Sequence, residues 1–346
     1  MTGDGQGTQR VPKAELKQQG PTPVGRRRSK WRSVVRASLL VVGFVLLLGA
    51  AVAAVARLTG WEQGPLAYAV AVLPWTTAAA AVALLIGLAT KTRGLIAGSL
   101  VVVLLGVWWL LPLYRADASL SATEPALTVA TVNMTLGEAG ASAIVEMVRA
   151  QGVDVLAVEE LTPDAEERLH DAGLDEVFPY SSAHPQAGIT GTGLWSTRPL
   201  TDARLRPGLV SNTVQADITL PTGSLTVLVA HPAAPGPLHH DQWDVDTTRL
   251  RDMLAIVSGP VVVLGDLNTT RDHRIFRDVE SLGYVDAADQ AGAGFQPTFP
   301  QGRTPVPLAA IDHVLVRDVG LDARSAVTVT IAGADHRALV VQLFSS

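Results

Sequence analysis

Residues 261–268 read Val-Val-Val-Leu-Gly-Asp-Leu-Asn, and this stretch decides the fold class. Four apolar residues, three of them β-branched, carry the signature of a strand buried on both faces. The strand ends at Gly265, and Asp266 and Asn268 follow at once. Residues i and i+2 on an extended segment point to the same side. A carboxylate and a carboxamide therefore emerge together from the end of a buried strand, where open sheets place their chemistry. The bland alternative is a strand followed by a polar turn, since Asp and Asn are common turn residues. The other polar clusters along the chain decide between the two.

Outward from this strand, short β-rich runs alternate with helical ones from Leu127 onward. Strands are expected at Leu127–Asn133, Asp154–Val158, Gly193–Ser196, Thr213–Leu220, Ser224–Ala230, Ile311–Val316 and Ala338–Phe344. Ala141–Gln151 sets Ile144, Val145 and Val148 on one helical face, and Gly152 is its expected C-terminal stop. Thr162-Pro163 opens a second helix with a hydroxyl cap, a proline at the first helical position and an acidic first turn. A third helix is expected over about Gln242–Val257, with Leu250, Met253, Leu254 and Val257 on one side. There is no internal repeat. The mix predicts a single α/β domain over residues 127–346 with sheets covered by helices.

The chain before that domain has a different character. Nearly all the long apolar runs lie before residue 115, although the overall hydrophobic fraction of 48% is ordinary. Residues 1–36 carry nine Lys/Arg against two Asp/Glu and read as a disordered basic cytoplasmic tail, with residues 1–25 rich in Gly, Gln, Pro and Thr. The apolar run Ala37–Ala56 has the roughly twenty residues needed to span a bilayer. Leu66–Ala89 and Leu95–Tyr114 follow, so residues 37–114 read as three spans and not as a removed signal peptide. Pro74 should kink the second span. Trp61, Trp108, Trp109 and Tyr114 fit interface positions, with the adjacent Trp pair also able to pack inside a span. Basic residues cluster before span one and between spans two and three (Lys91, Arg93). This predicts a multi-pass plasma-membrane protein with a cytoplasmic N-terminus and an extracellular C-terminal domain, joined through a linker over residues 115–126.

Charge and composition narrow the function. Residues 115–346 hold fifteen Arg, no Lys and twenty-nine Asp/Glu, together with all eight His. Such an acidic domain lacks the general electrostatic footprint of a nucleic-acid binder, although a local basic patch stays open. The chain has no cysteine, which excludes disulfides, thiolate metal sites and cysteine nucleophiles. No Gly-x-Ser-x-Gly elbow and no His-Glu-x-x-His zinc motif occurs. What the strand ends do carry is Asn133, Glu159-Glu160, His231, Asp266 with Asn268, Asp312-His313 and Asp335-His336. Carboxylates, amides and histidines suit a hard, oxygen-liganded cation such as Mg²⁺ together with acid–base groups.

In that order, Thr-Val-Asn133, Asp154-Val-Leu-Ala-Val-Glu-Glu160, His231-Pro, Gly265-Asp266-Leu-Asn268, Ile-Asp312-His313 and Ala-Asp335-His336-Arg resemble the endonuclease/exonuclease/phosphatase superfamily over about residues 125–346. The resemblance implies a four-layer α/β sandwich of two mixed sheets and a metal-dependent hydrolase of phosphoester bonds using Mg²⁺ or Mn²⁺. It implies Glu160 as the principal metal ligand with Asn133 and Asp335 near the metal. It further implies that Asp266 and Asn268 position water and the scissile phosphate. His336, fixed by Asp312, would contact the phosphate or act as a base, and His231 would stand near the leaving oxygen. Glu159 stands where that family more often has Gln, which leaves open which of Glu159 and Glu160 ligates. His313 is read as structural, His239, His240 and His273 as solvated, and Asp272 and Asp289 as caps or turns.

The layout of basic tail, three spans and external domain also resembles the teicoplanin-resistance membrane proteins of actinomycetes. That resemblance implies a phosphate-bearing lipid substrate at the membrane surface, such as the cell-wall carrier undecaprenyl pyrophosphate. The alternatives are a small phosphate-bearing substrate, an extracellular nuclease, or a non-catalytic membrane-attached binding domain.

Overall fold

Alternate side chains of the 261–264 run enter two different cores. Val262 and Leu264 pack between two sheets, and Val261 and Val263 pack against helices. A strand used on both faces has no room for polar alternation, which is why its sequence is continuously apolar.

The computed structural model describes residues 2, 23–116, 125–221, 223–236 and 240–345. In chain order its helices are α1 (Pro23–Thr59), α2 (Pro65–Ala71), α3 (Leu73–Thr90), α4 (Arg93–Leu110), α5 (Ala141–Gln151), α6 (Pro163–Asp171), α7 (Asp241–Ile256), α8 (Arg274–Glu280) and α9 (Ala287–Gln290). A 3-10 turn over Leu111–Tyr114 extends α4. The strands are β1 (Leu127–Asn133), β2 (Val155–Glu159), β3 (Tyr180–His184), β4 (Thr192–Ser196), β5 (Thr201–Arg206), β6 (Thr213–Leu220), β7 (Gly223–Val229), β8 (Val261–Asp266), β9 (Val285–Asp286), β10 (Asp312–Arg317), β11 (Leu321–Thr330) and β12 (Arg337–Ser345).

Among the described residues these strands form two six-stranded mixed sheets, ordered β11-β12-β1-β2-β4-β3 and β5-β6-β7-β8-β10-β9. Only β1–β2 and β7–β8 pair in parallel. The sheets face each other across one apolar core. A second core joins the first sheet to α5 and α6, and a third joins the other sheet to α7 and α8. The result is the expected four-layer α/β sandwich. The local signals act as read: Gly152 takes a left-handed conformation after α5, and the Thr162 side chain accepts from the Ala165 N–H at the start of α6.

The N-terminal region departs from expectation in two places. α1 begins at Pro23, so residues 23–36 are helical and not a disordered tail; the run is rich in Arg, a good helix former, and has no Gly or Pro after Gly25. The second apolar run is broken, not merely kinked: Val72 separates α2 from α3. Pro74 sits in the first turn of α3, where its missing N–H costs nothing, and cannot continue a ladder from α2. Lys30–Thr59, Leu73–Thr90 and Arg93–Tyr114 are long and apolar enough to cross a membrane. The rest of the tail, residues 117–124 of the linker, and His239 lie outside the described residues.

Leu264→Ala removes fully buried volume between the two sheets. It should lower stability by about 2–5 kcal/mol, measured as a fall in the thermal midpoint of the purified full chain in detergent. An unchanged midpoint would show that this strand is not central to the packing.

Candidate active site

The polar strand ends meet because the pairing registers bring them to one end of the sandwich. Asn133 of β1 lies opposite Glu159 of β2, and Asp266 of β8 lies opposite Asp312 of β10. Gly265 permits the last step of β8. Its φ is 147°, and a Cβ there would run into the Ala230 carbonyl of the neighbouring chain segment, so no other residue fits.

Strand alternation separates the two glutamates. Glu159 points into the space between the sheets and is fully buried, and its Oε1 accepts from the Thr131 hydroxyl at 2.9 Å. Burial, reinforced by the nearby Asp312 carboxylate, pushes the Glu159 carboxyl well above the usual range. Glu160 follows with a φ of 54°, a strained conformation for a residue that is neither Gly nor Asn. That turn swings its carboxylate to the site, where Oε2 accepts from the Leu136 N–H at 2.6 Å and Oε1 from Asn133 Nδ2 at 3.2 Å.

Asn133 Nδ2 also donates to Asp266 Oδ2 at 3.0 Å, joining the two sheets through one buried amide. Asp266 Oδ1 accepts from the Asn268 N–H at 2.9 Å. Around Asp266 Oδ2 stand His231 Nε2 and His336 Nε2, each at 3.6 Å. His336 Nδ1 bonds Asp312 Oδ2 at 2.9 Å. Burial works against charge on His336, but the Asp312 and Asp266 carboxylates outweigh it and push its pKa up to about 10. Asp335 joins through the Thr135 hydroxyl at 2.7 Å and lies 4.0 Å from His336 Nε2. Its other oxygen pairs with Arg303 at 3.1 Å.

Asn268 reaches this network by a different route from the one expected. β8 stops at Asp266, and Asn268 takes a left-handed turn with φ 48°, so it is not the next outward position of an extended strand. Its Nδ2 donates to the Pro232 carbonyl at 3.0 Å, beside His231. Asn is one of the few residues that take this backbone readily, and its amide is held by the Pro232 carbonyl of a separate loop.

The donor set suits a hard divalent cation. Asp266 and Asp312 bring carboxylate oxygens within 4.8 Å of each other and of His336, which is their cationic neighbour and not itself a ligand while protonated. Asp312 Oδ1 is buried and has no hydrogen-bond partner among the described residues. A buried carboxylate oxygen left in that state is costly without a cation. Glu160 and Asp335 add further carboxylates at the same strand ends. Asn133 here turns its NH₂ to Glu160 and Asp266, and its Oδ1 accepts from the Thr135 N–H.

The sequence profile of the endonuclease/exonuclease/phosphatase family matches residues 130–336. The chain belongs to this family. The activities in the family's name all cleave phosphoester bonds. No curated protein matches the chain. Among solved structures, a D. rerio TDP2 humanized by 14 mutations is 15% identical, with a TM-score of 0.52 over 63% of this chain and 99% of that one. An AP endonuclease from Archaeoglobus fulgidus is 16% identical, with a TM-score of 0.52 and the same coverage of 63% and 99%. The human nocturnin catalytic domain with bound sulfate is 16% identical, with a TM-score of 0.50 over 65% of this chain and 97% of that one. At these identities the likeness is one of fold.

This family member has an addition that the motif residues do not reveal. Asp272 and His273, read above as turn and solvated groups, are buried against the apolar helices. Arg57 at the end of α1 pairs with Asp272 at 2.7 Å while its guanidinium lies 4.3 Å from the Trp109 ring centroid. Arg271 donates to the Trp109 carbonyl at 2.6 Å and pairs with Asp289 at 2.7 Å, so Asp289 is an ion-pair partner and not a free turn residue. The Arg274 N–H at the start of α8 donates to Glu62 at 2.9 Å. His240 is likewise buried and stacks near Trp243, whose Nε1 donates to the Asn268 carbonyl at 2.9 Å. The linker is thus not the only tie between the helices and the family domain. The cluster Arg271-Asp272-His273-Arg274 directly after the Asp266/Asn268 turn was the only hint in the sequence, and it names no partner.

Two histidines of this brace have charge states fixed by their neighbours. His273 Nε2 faces the Ala67 carbonyl of α2 at 3.0 Å and must donate, while Nδ1 accepts from the Thr270 N–H at 2.8 Å. His273 is therefore neutral, and burial pushes its pKa down to about 4. His313 faces two acceptors, Asp286 Oδ2 at 2.6 Å and the Thr269 carbonyl at 2.9 Å, so both of its nitrogens carry protons. Burial opposes that charge, but the Asp286 carboxylate outweighs it and raises the His313 pKa. His313 is structural, as expected, and holds the backbone of the turn that carries Asn268.

The His273 shift makes stability pH-dependent. An unfolded histidine titrates near 6.5, so the contribution of His273 is complete above that pH. It is lost as pH falls from there toward about 4, because the unfolded chain takes up the proton first. The thermal midpoint of the full chain should fall across this window, and His273→Gln should show a lower midpoint at pH 7.5 and a smaller acid-induced fall. Equal falls in both proteins would refute the assignment.

Proposed function

We propose that the chain is a membrane-anchored, divalent-metal-dependent phosphoesterase that cleaves a phosphate ester or anhydride of a lipid at the outer face of the plasma membrane, the class of undecaprenyl pyrophosphate. The observation that carries this reading is where the site's rim rests. The Tyr68 hydroxyl of α2 donates to the Pro235 carbonyl, four residues past His231. Trp75 Nε1 of α3 donates to the Leu308 carbonyl at 2.9 Å, four residues before Asp312. A site whose walls are bonded to the ends of apolar helices suits a substrate held in the bilayer better than long duplex DNA. The acidic, lysine-free domain supports the same choice. Lys91 and Arg93 at the turn from α3 into α4, with the basic start of the chain, support an external family domain. In this reading, hydrolysis of a cell-wall lipid there would give resistance to a glycopeptide such as teicoplanin.

In this reading Glu160 would be the principal ligand of Mg²⁺ or Mn²⁺ with Asn133 and Asp335 near it, and the cation, when bound, would supply charge neutralisation to the phosphate oxygens. Asp266 orients the attacking water, since its Oδ1 is fixed by the Asn268 N–H and its Oδ2 faces the site. Asn268 contributes an uncharged amide beside the scissile phosphate, which adds no repulsion. His336 keeps its proton at neutral pH between Asp312 and Asp266, which suits donation to a phosphate oxygen better than abstraction of a proton. His231, 3.6 Å from Asp266, would stand near the leaving oxygen. Arg303, exposed and paired with Asp335, would offer a cation to a second phosphate.

The test uses the full chain in nanodiscs with Mg²⁺. It compares phosphate release from undecaprenyl pyrophosphate with nicking of plasmid DNA. Lipid turnover should vanish with chelator and return with Mg²⁺. Glu160→Gln and Asp266→Asn should each lower kcat by about 10²–10³-fold or more. DNA nicking without lipid turnover would replace this reading by a nuclease. Arg303→Ala should raise KM for the pyrophosphate by about tenfold, the worth of a single charged contact, with kcat little changed; an unaltered KM would remove Arg303 from the site.

A further inference from the structure

The registers that gather the site also gather the loops around it. His184, Thr192 and Glu159 align across β3, β4 and β2, as do Arg206 and Thr213 across β5 and β6 and Thr330 and Arg337 across β11 and β12. The segments 134–140, 185–191, 207–212 and 300–307 therefore open at the same end as Asp266 and Asp312. Each of the four presents one exposed aliphatic side chain: Leu136, Ile189, Val210 and Val306, between 42% and 51% accessible. Single exposed aliphatics are ordinary on a protein surface. Four on separate loops around one mouth, at the end joined to apolar helices, are a surface feature.

Their backbones are held by the site itself. Thr135 and Leu136 both take left-handed conformations, with φ of 52° and 56°, and the Leu136 N–H is bonded to Glu160. The Asn212 N–H donates to the Thr190 carbonyl at 2.9 Å and the Ser211 hydroxyl to the Ile189 carbonyl at 3.2 Å, which couples two of the loops. Asp246 accepts from both Val210 N at 3.0 Å and Ala233 N at 3.1 Å, which ties this pair to the His231 loop. That loop continues to Pro235 and its bond with Tyr68. Trp61, Trp108 and Tyr114, at the ends of the apolar helices on this side, are exposed, as residues at a membrane–water boundary are.

We infer that Leu136, Ile189, Val210 and Val306 enter the interfacial zone of the bilayer in which the helices sit, so that the active-site mouth closes onto the lipid surface. The occupant of this apolar rim is the lipid leaflet, continuous with the surface that surrounds α1, α3 and α4. The inference rests on the reading that these helices cross a membrane. It deepens that reading by giving the substrate a path: a lipid-borne phosphate reaches the Asp266 and His336 side chains without its chain leaving the leaflet.

The test exploits the absence of native cysteine. Ile189→Cys and Val306→Cys are labelled with an environment-sensitive fluorophore in the full chain, in nanodiscs of phosphatidylethanolamine and phosphatidylglycerol. Ile256→Cys, exposed at the opposite end of α7, is the control. Labels at 189 and 306 should shift to the blue and be quenched by spin-labelled lipid, and the label at 256 should not. Ile189→Asp and Val306→Asp should lose at least about fivefold in kcat/KM on lipid in the bilayer, since burial of apolar side chains drives interfacial binding, and should keep their turnover of a soluble phosphoester. Unquenched, water-like emission at both rim positions overturns the inference whatever the substrate is. Quenching without lipid turnover leaves the membrane-facing rim standing and overturns the lipid phosphoesterase reading instead.

Discussion

One buried carboxamide joins the two halves of the molecule. Asn133 ends the central strand of one sheet and donates from a single nitrogen to Glu160 beside it and to Asp266 of the other sheet. Asn133 and Asp266 are almost fully buried, and isolated carboxylates at that depth would repel each other and recruit protons. An amide between them supplies donors without adding charge. The Glu159 carboxyl behind it, whose ionisation burial disfavours, and the cationic His336 opposite it complete the same balance. The bond ties across the two sheets the strand ends that the registers gather within each sheet, and the apolar core between the sheets holds them together.

The turn from Asp266 to His273 is held from three directions. Trp243 of α7 holds the Asn268 carbonyl, the charged His313 holds the Thr269 carbonyl, and the neutral His273 holds the Thr270 N–H while donating to α2. Two imidazoles a few ångströms from one turn carry opposite protonation states because one faces a donor and an acceptor and the other faces two acceptors. Burial makes each assignment stringent. The turn that carries Asp266 and Asn268 is therefore built partly from the helices that precede the family domain, through Ala67, Arg57 and Trp109. Those helices take part in the geometry of the site.

Residues with strong local reasons were legible before any tertiary contact was known. The 261–264 strand, Ala141–Gln151 and the Thr162-Pro163 helix start all follow from side chains that must be buried on set faces or from caps that satisfy backbone groups. Edge strands were not: β3 and β5 are exposed and polar, so no burial pattern distinguishes them from loops, and β11 interleaves exposed and buried residues around a bulge. The strand-end residues Asn133, Glu160, His231, Asp266, Asp312 and His336 were visible because polar groups directly after apolar strands have few structural reasons to be there.

The sequence by itself determined the layered α/β class, the three apolar helices and the set of polar strand ends, because each depends on periodicity or on neighbours within a few residues. Only the tertiary structure decided that Glu160 and not Glu159 presents a carboxylate to the site, since strand alternation and one left-handed residue set that choice. It alone decided that Asp272 and His273 are buried, because their partners Arg57 and Ala67 lie more than two hundred residues away. A residue's charge state follows from the atoms that surround it, and those are fixed by packing between elements that no local pattern connects.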